Sequence, residues 1–195
     1  MYYARCITVA LCVVALFACS HGAKIDGEEQ IMAHYYEALS QTDPQSMETL
    51  QPGSDIEAEA IDSFKSFYAV FSEEVIRQEL RHVYAENAYF RDGMKEVMGI
   101  DALEEYFLAS AETVHECIFD IQDIAAHEGN YYFRWVMHLR TKRWKDEPIQ
   151  AVGMSHVRFD RKGKIVFHQD YWDTSVIYEK IPVMGSVIGW IKKRF

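Results

Sequence analysis

Gly153-Met154-Ser155-His156-Val157-Arg158-Phe159-Asp160-Arg161-Lys162-Gly163-Lys164-Ile165-Val166-Phe167-His168-Gln169-Asp170-Tyr171-Trp172-Asp173 is the stretch that decides the fold. β-Branched and aromatic residues flank an Asp, Lys and Gly cluster at Asp160 to Gly163. That spacing predicts two long antiparallel strands joined by a tight turn. Side chains alternate along a strand, so Val166, His168, Asp170 and Trp172 are expected on one face. A solvent face does not favour Trp, and a plain core does not favour Asp. The mixture fits the wall of a partly apolar pocket, or else the rim of a sheet where an aspartate pairs with an arginine.

Outward from this hairpin, the signals change period. Ile61, Phe64, Tyr68 and Phe71 recur at helical intervals, and Ser72-Glu73-Glu74 can restart a helix through Val75, Ile76, Leu80 and Val83. Tyr84 to Arg91 carries strand formers and stops at Asp92-Gly93. Asp101-Ala102-Leu103-Glu104 is an analogue of the capping box, opening a helix striped by Leu103, Tyr106, Phe107, Ser110, Ala111 and Val114. Beyond Val114 the period falls to two. Cys117, Phe119 and Ile121 alternate, His127 to Asn130 turns the chain, and Tyr131, Phe133, Trp135, Met137 and Leu139 share a face. Helices followed by a long-stranded antiparallel sheet is an α+β plan.

The chain has 195 residues, 49% of them hydrophobic, and a formal net charge of −10. It is long enough for one substantial core, and its charge argues against nucleic acid as a partner. The apolar run Ile7 to Ala18 is too short to span a bilayer as a helix and fits a secretory leader. Leu16-Phe17-Ala18-Cys19 resembles a bacterial lipoprotein processing site, which makes Cys19 the expected lipidated first residue. An ordinary signal peptide is the other reading. With Cys6, Cys12 and Cys19 assigned to the leader, Cys117 alone remains. No thiolate zinc site can be built from it, and no cofactor or metal is expected. The expected organisation is a signal peptide over 1–19, a tether with a short helix over 20–55, one domain over 56–180, and an amphipathic tail over 181–195. The tail sets Val183, Val187, Ile188, Trp190 and Ile191 before Lys192-Lys193-Arg194. It reads either as a helix closing the core or as an interfacial helix lying on lipid.

Three short pieces carry a family resemblance: Tyr84 to Asp92, Gly99 to Leu103, and His168 to Asp173. In this order the chain resembles the nuclear transport factor 2-like superfamily, in its SnoaL-like branch of ketosteroid isomerases, polyketide cyclases and limonene epoxide hydrolases. The resemblance implies a conical half-barrel, a curved antiparallel sheet wrapped around helices, with an apolar cup at one end. By the same resemblance, Asp92 matches the isomerase base and Tyr68 the oxyanion-stabilising tyrosine. Ser155 stands where those enzymes keep a protonated aspartic acid, and Asp170 matches an aspartate of the epoxide hydrolases. The resemblance also implies a homodimer formed through the outer sheet face, and Ser20 after Cys19 implies the outer membrane of a bacterial envelope.

The chemistry expected follows from these residues. Asp92, Asp170, His168 and Tyr68 are the candidate catalytic set, for proton abstraction next to a carbonyl or for activation of a water. Ser155, Phe64, Phe133, Trp135, Met137, Val166 and Trp172 are the candidate lining for a small apolar ligand. Without chemistry, the same cup would serve as a carrier, or the domain would bind an envelope partner.

Overall fold

The computed structural model describes residues 21–143, 147–181 and 183–194; the leader and Cys19 lie outside the described residues. The chain divides into two compact units, Met1–Ser40 and Gln41–Phe195. The first contributes nearly all of helix α1 (His21–Gln41), which is longer than the short helix expected within residues 20–55.

The second unit is the expected α+β domain. Its order is α2 (Asp55–Ala69), α3 (Glu73–Val83), β1 (Tyr84–Arg91), β2 (Glu96–Met98), α4 (Ile100–Thr113), β3 (Val114–His127), β4 (Asn130–Thr141), β5 (Ile149–Phe159), β6 (Ile165–Trp172), α5 (Ser175–Tyr178) and α6 (Met184–Lys192). One curved, open sheet has the order β2-β1-β6-β5-β4-β3. Four of its pairings are antiparallel, but β1 runs parallel to β6, so the sheet is mixed.

Local chemistry explains most boundaries. Ser54 and Ser72 cap α2 and α3, their side chains accepting from Glu57 N and Val75 N. The α3 cap falls at the restart expected from Ser72-Glu73-Glu74. Asp101 does not cap α4. Gly99 occupies the cap position with no side-chain bond. Arg81 of α3 instead gathers both members of the supposed box, donating to Asp101 Oδ1 and Glu104 Oε2 at 2.6 Å each. The helix starts at Ile100, one residue ahead of Asp101, so that carboxylate lies inside the first turn and is free to pair with the guanidinium. In the β5–β6 turn, Asp160 Oδ1 accepts from Lys162 N at 2.8 Å and Lys164 N at 3.0 Å. Gly163 there takes φ +80°, a conformation that a Cβ disfavours.

The core lies between α2, α3, α4 and one sheet face. Phe64, Ile76, Leu80, Leu103, Phe133 and Val157 are among its buried members. Each contributes roughly 1.5–3 kcal/mol by leaving water. Beside it, Trp135, Met137, Leu139, Ile149 and Ala151 form a second apolar cluster toward α5. The tail does not close this core: no residue of α6 is buried. Val183, Val187, Trp190 and Ile191 are exposed.

The alternation expected along β6 is broken once. Arg158 pairs with Phe167 and Phe159 with Ile165, which leaves Val166 as the extra residue of a bulge. Ile165 joins the core in its place. His168, Asp170 and Trp172 then follow with period two.

Candidate active site

The site is laid out by strand register. Ser155 pairs directly with Asp170 across β5 and β6, and Gly153 sits between Trp135 on β4 and Trp172 on β6. The Trp135 indole packs over Gly153, where an added Cβ would fall 2.2 Å from its ring. This closeness brings the indole to Ser155: Nε1 donates to Oγ at 2.9 Å.

The direction of the next bond is then fixed. An indole N–H only donates, so Ser155 Oγ accepts it, and the serine hydroxyl gives its own proton to Asp170 Oδ1 at 2.5 Å. His168 Nε2 meets the same oxygen at 2.8 Å. Both bonds thus fall on Oδ1, and Oδ2 has no hydrogen-bond partner among the described residues. His168 is fully buried; its other nitrogen, Nδ1, lies 2.6 Å from the Tyr84 hydroxyl, which is 2.5 Å from that of Tyr68. Tyr68 itself is 3.4 Å from Nδ1. Burial, with Tyr84 and the Asp170 charge adding to it, holds the Tyr68 phenol well above its ordinary pKa. Burial likewise raises Tyr84.

Asp92 is held differently. It follows β1 at the turn, where Oδ1 accepts from Met94 N at 2.7 Å and Lys95 N at 2.8 Å. Tyr106 of α4 donates to Oδ2 at 2.7 Å. Burial and the Asp92 charge raise the Tyr106 phenol in turn. Asp92 thus holds the turn and faces a cavity at once.

Asp92 and Asp170 open on one cavity of about 530 Å³. Tyr68, Met137 and Trp172 line it, joined by Phe90, Tyr106 and Phe119. Phe64, Trp135 and Ser155 border only a small adjoining void of about 10 Å³. Phe133 stacks on Phe64 at 4.0 Å and belongs to the core. Val166, displaced by its bulge, lines neither space. Ser155 has both its hydrogen bonds committed within the protein, so its part is to fix Asp170 rather than to touch a ligand. Tyr68 keeps its place on the wall, but its hydroxyl is engaged with Tyr84. Among the described residues no group of three His, Cys, Asp or Glu side chains is placed to hold a metal ion.

Two contributors were not singled out from the sequence. Tyr84 read as a strand former, and the irregular register between Tyr84 and Tyr89 hides its inward direction. Tyr106 read as part of an apolar helix stripe, though its position one turn before Ser110 on the face toward β1 was a usable signal.

An open α+β cone whose apolar cup presents two carboxylates and two tyrosines, with a buried histidine and a third tyrosine bonded behind them, defines the class of protein. The particular family follows from comparison: residues 64–168 match the SnoaL-like domain, and the chain belongs to that family. Solved structures agree on the fold. A LEH-like epoxide hydrolase of M. tuberculosis is 14% identical with a TM-score of 0.53, covering 66% of this chain and 90% of that one. A hypothetical protein of ketosteroid isomerase-like fold from Catenulispora acidiphila DSM 44928, in complex with trimethylamine, is 13% identical with a TM-score of 0.53, covering 62% and 89%. An NTF2-like protein of unknown function from Exiguobacterium sp. 255-15 is 15% identical with a TM-score of 0.51, covering 59% and 98%. No curated protein matches the chain at a significant level.

Proposed function

We propose that this domain binds a small apolar molecule in its cup and uses Asp170 as a base, either to abstract a proton next to a carbonyl or to activate a water. The observation that carries this reading is the asymmetry of the two carboxylates on the cavity. Asp92 has both oxygens occupied, by two backbone N–H groups and by Tyr106. Asp170, which also lines the cup, has one oxygen clamped and the other without a hydrogen-bond partner among the described residues. A base needs a free lone pair within reach of the proton it takes, and a fixed carboxylate loses little entropy in taking it. Isomerase- or cyclase-type chemistry fits that geometry, with water activation as the second form of the same step.

The anchoring belongs to this proposal too. The Cys19 site and leader would tether the domain to a bacterial envelope, at the outer membrane facing the periplasm. The uncovered apolar side of α6, ending in Lys192-Lys193-Arg194, supports a resting place on lipid. No described helix is long and apolar enough to cross a membrane.

The test is hydrogen exchange. Apolar ketones that bind the full chain are incubated in D2O, and loss of the proton next to the carbonyl is followed by NMR. Exchange accelerated by the wild type and lost in Asp170→Asn supports the base. A ketone that binds both forms equally and exchanges in neither makes the protein a carrier.

A further inference from the structure

We infer that Tyr84 and His168 form a proton relay between Tyr68 and Asp170, so that a proton accepted by the Tyr68 hydroxyl from the cavity comes to rest on the Asp170 carboxylate. The inference builds on the reading of Asp170 as the acid–base group, and adds a second mouth through which it acts. Tyr84 and His168 do not line the cup; they are positioning residues that connect two groups which do.

The bonds allow two complete arrangements. With Asp170 ionised, His168 donates Nε2–H to Oδ1, leaving Nδ1 as a lone pair. Tyr84 must then donate to Nδ1, and Tyr68 must donate to Tyr84, so the Tyr68 proton is turned away from the cup. With a proton on Oδ1, every bond reverses. Asp170 donates to Nε2, Nδ1–H donates to Tyr84, Tyr84 donates to Tyr68, and the Tyr68 O–H is left to point into the cavity. Each arrangement satisfies all the buried donors and acceptors, whereas a mixed one strands a polar atom at a cost of about 1–3 kcal/mol. The network is thus a two-position element.

The passage balances. A ligand O–H or N–H bond breaks at the Tyr68 oxygen and a Tyr68 O–H bond forms. The former Tyr68 proton goes to Tyr84, that of Tyr84 to Nδ1, and that on Nε2 to Asp170 Oδ1. The ligand keeps the electron pair and the negative charge, and the carboxylate becomes neutral. Reversal hands a proton to an oxyanion at Tyr68. No phenolate needs to accumulate, because burial keeps both phenols protonated.

The groups around the relay are known from every side. Tyr68 comes from α2, Tyr84 from β1 and Ser155 from β5. Tyr106 of α4 and Asp92 face the same cup, and His156 lies beyond the sheet on its other face.

Nitrogen-15 NMR of the histidine-labelled full chain tests this, with the Asp170 carboxyl carbon followed in parallel. In the first arrangement His168 is the Nε2–H tautomer; as Asp170 takes up its proton on acidification, His168 should convert to the Nδ1–H tautomer while staying neutral. Tyr84→Phe removes the acceptor of Nδ1–H, and should abolish that conversion without moving the tautomer found at high pH. Tyr68→Phe should suppress it as well, and serves if the first variant does not fold. A His168 that stays Nε2–H while Asp170 is protonated overturns the relay, as does one that gains a second proton. An Asp170 that holds its charge until the protein unfolds does the same. These readings need no turnover, so a lost exchange activity with an intact tautomer change would remove the base and leave the relay standing.

Discussion

Trp135 and Asp170 sit on strands that are not neighbours, yet a single hydroxyl joins them. The indole donates to Ser155 Oγ at 2.9 Å, and Ser155 donates to Asp170 Oδ1 at 2.5 Å. An aromatic ring with no charge therefore decides where a serine proton points, and that proton helps decide which carboxylate oxygen is left without a partner.

Asp170→Asn should cost the exchange reaction on the order of 10²–10⁴-fold, the usual contribution of a positioned base. Asp92→Asn should cost less, because its oxygens already serve the turn and Tyr106. Parallel rate measurements on a ketone that exchanges with wild type give the order; a larger loss at Asp92 would move the base there.

Ser155→Ala should destabilise the domain by about 1–3 kcal/mol, since it leaves the Trp135 N–H buried without an acceptor. Urea unfolding measures it. Trp135→Phe combined with Ser155→Ala should cost less than the sum of the two single changes, because the orphaned donor is gone.

Gly153→Ala should cost about 1–3 kcal/mol through overpacking, because the new methyl meets the Trp135 ring at 2.2 Å. Near-UV circular dichroism should report a rotated indole. The same substitution should lower the exchange rate, although residue 153 does not itself line the cup.

His156 lies across the sheet from the cup, its Nε2 2.8 Å from Asn130 Oδ1 and its ring stacked on Tyr132. Burial, with Arg158 beside it, lowers its pKa from 6.5 to about 4. Below pH 6.5 the unfolded chain binds a proton that the folded one refuses, so this histidine's contribution is fully present above 6.5 and fades as pH falls toward 4. The loss should be about 1–2 kcal/mol once partial solvent contact is allowed for. Unfolding midpoints for wild type and His156→Asn should converge across that window; parallel curves would remove the assignment.

Much of this molecule is legible in residue spacing. Phe64 and Tyr68 announce α2, Asp160 to Gly163 announce the turn, and His168, Asp170 and Trp172 do share a face. What stays hidden is competition between neighbours. Arg81 takes Asp101 and Glu104 from their cap, and nothing local to residues 101–104 shows it. The bulge at Val166 depends on how β5 meets β6, not on Val166 itself. The parallel run of β1 beside β6 is a long-range pairing that no local pattern encodes. Hydroxyl roles are least visible of all: only the partners show the Tyr68 hydroxyl bonded to Tyr84 and the Ser155 proton committed to Asp170.

Ser155, His168 and Asp170 all belong to one hairpin, tied at its tip by Asp160 and Gly163. On the proposed chemistry, the base and the groups that fix it sit on a two-stranded tongue, while most of the surface that would discriminate among guests is borrowed from α4, β3 and β4. The two can drift independently: a lineage could remodel the helices to suit a new molecule without disturbing the acid–base machinery. On the proposed chemistry, a graft of this hairpin together with Trp135 onto a relative of different cup shape should carry the base with it and leave selectivity behind.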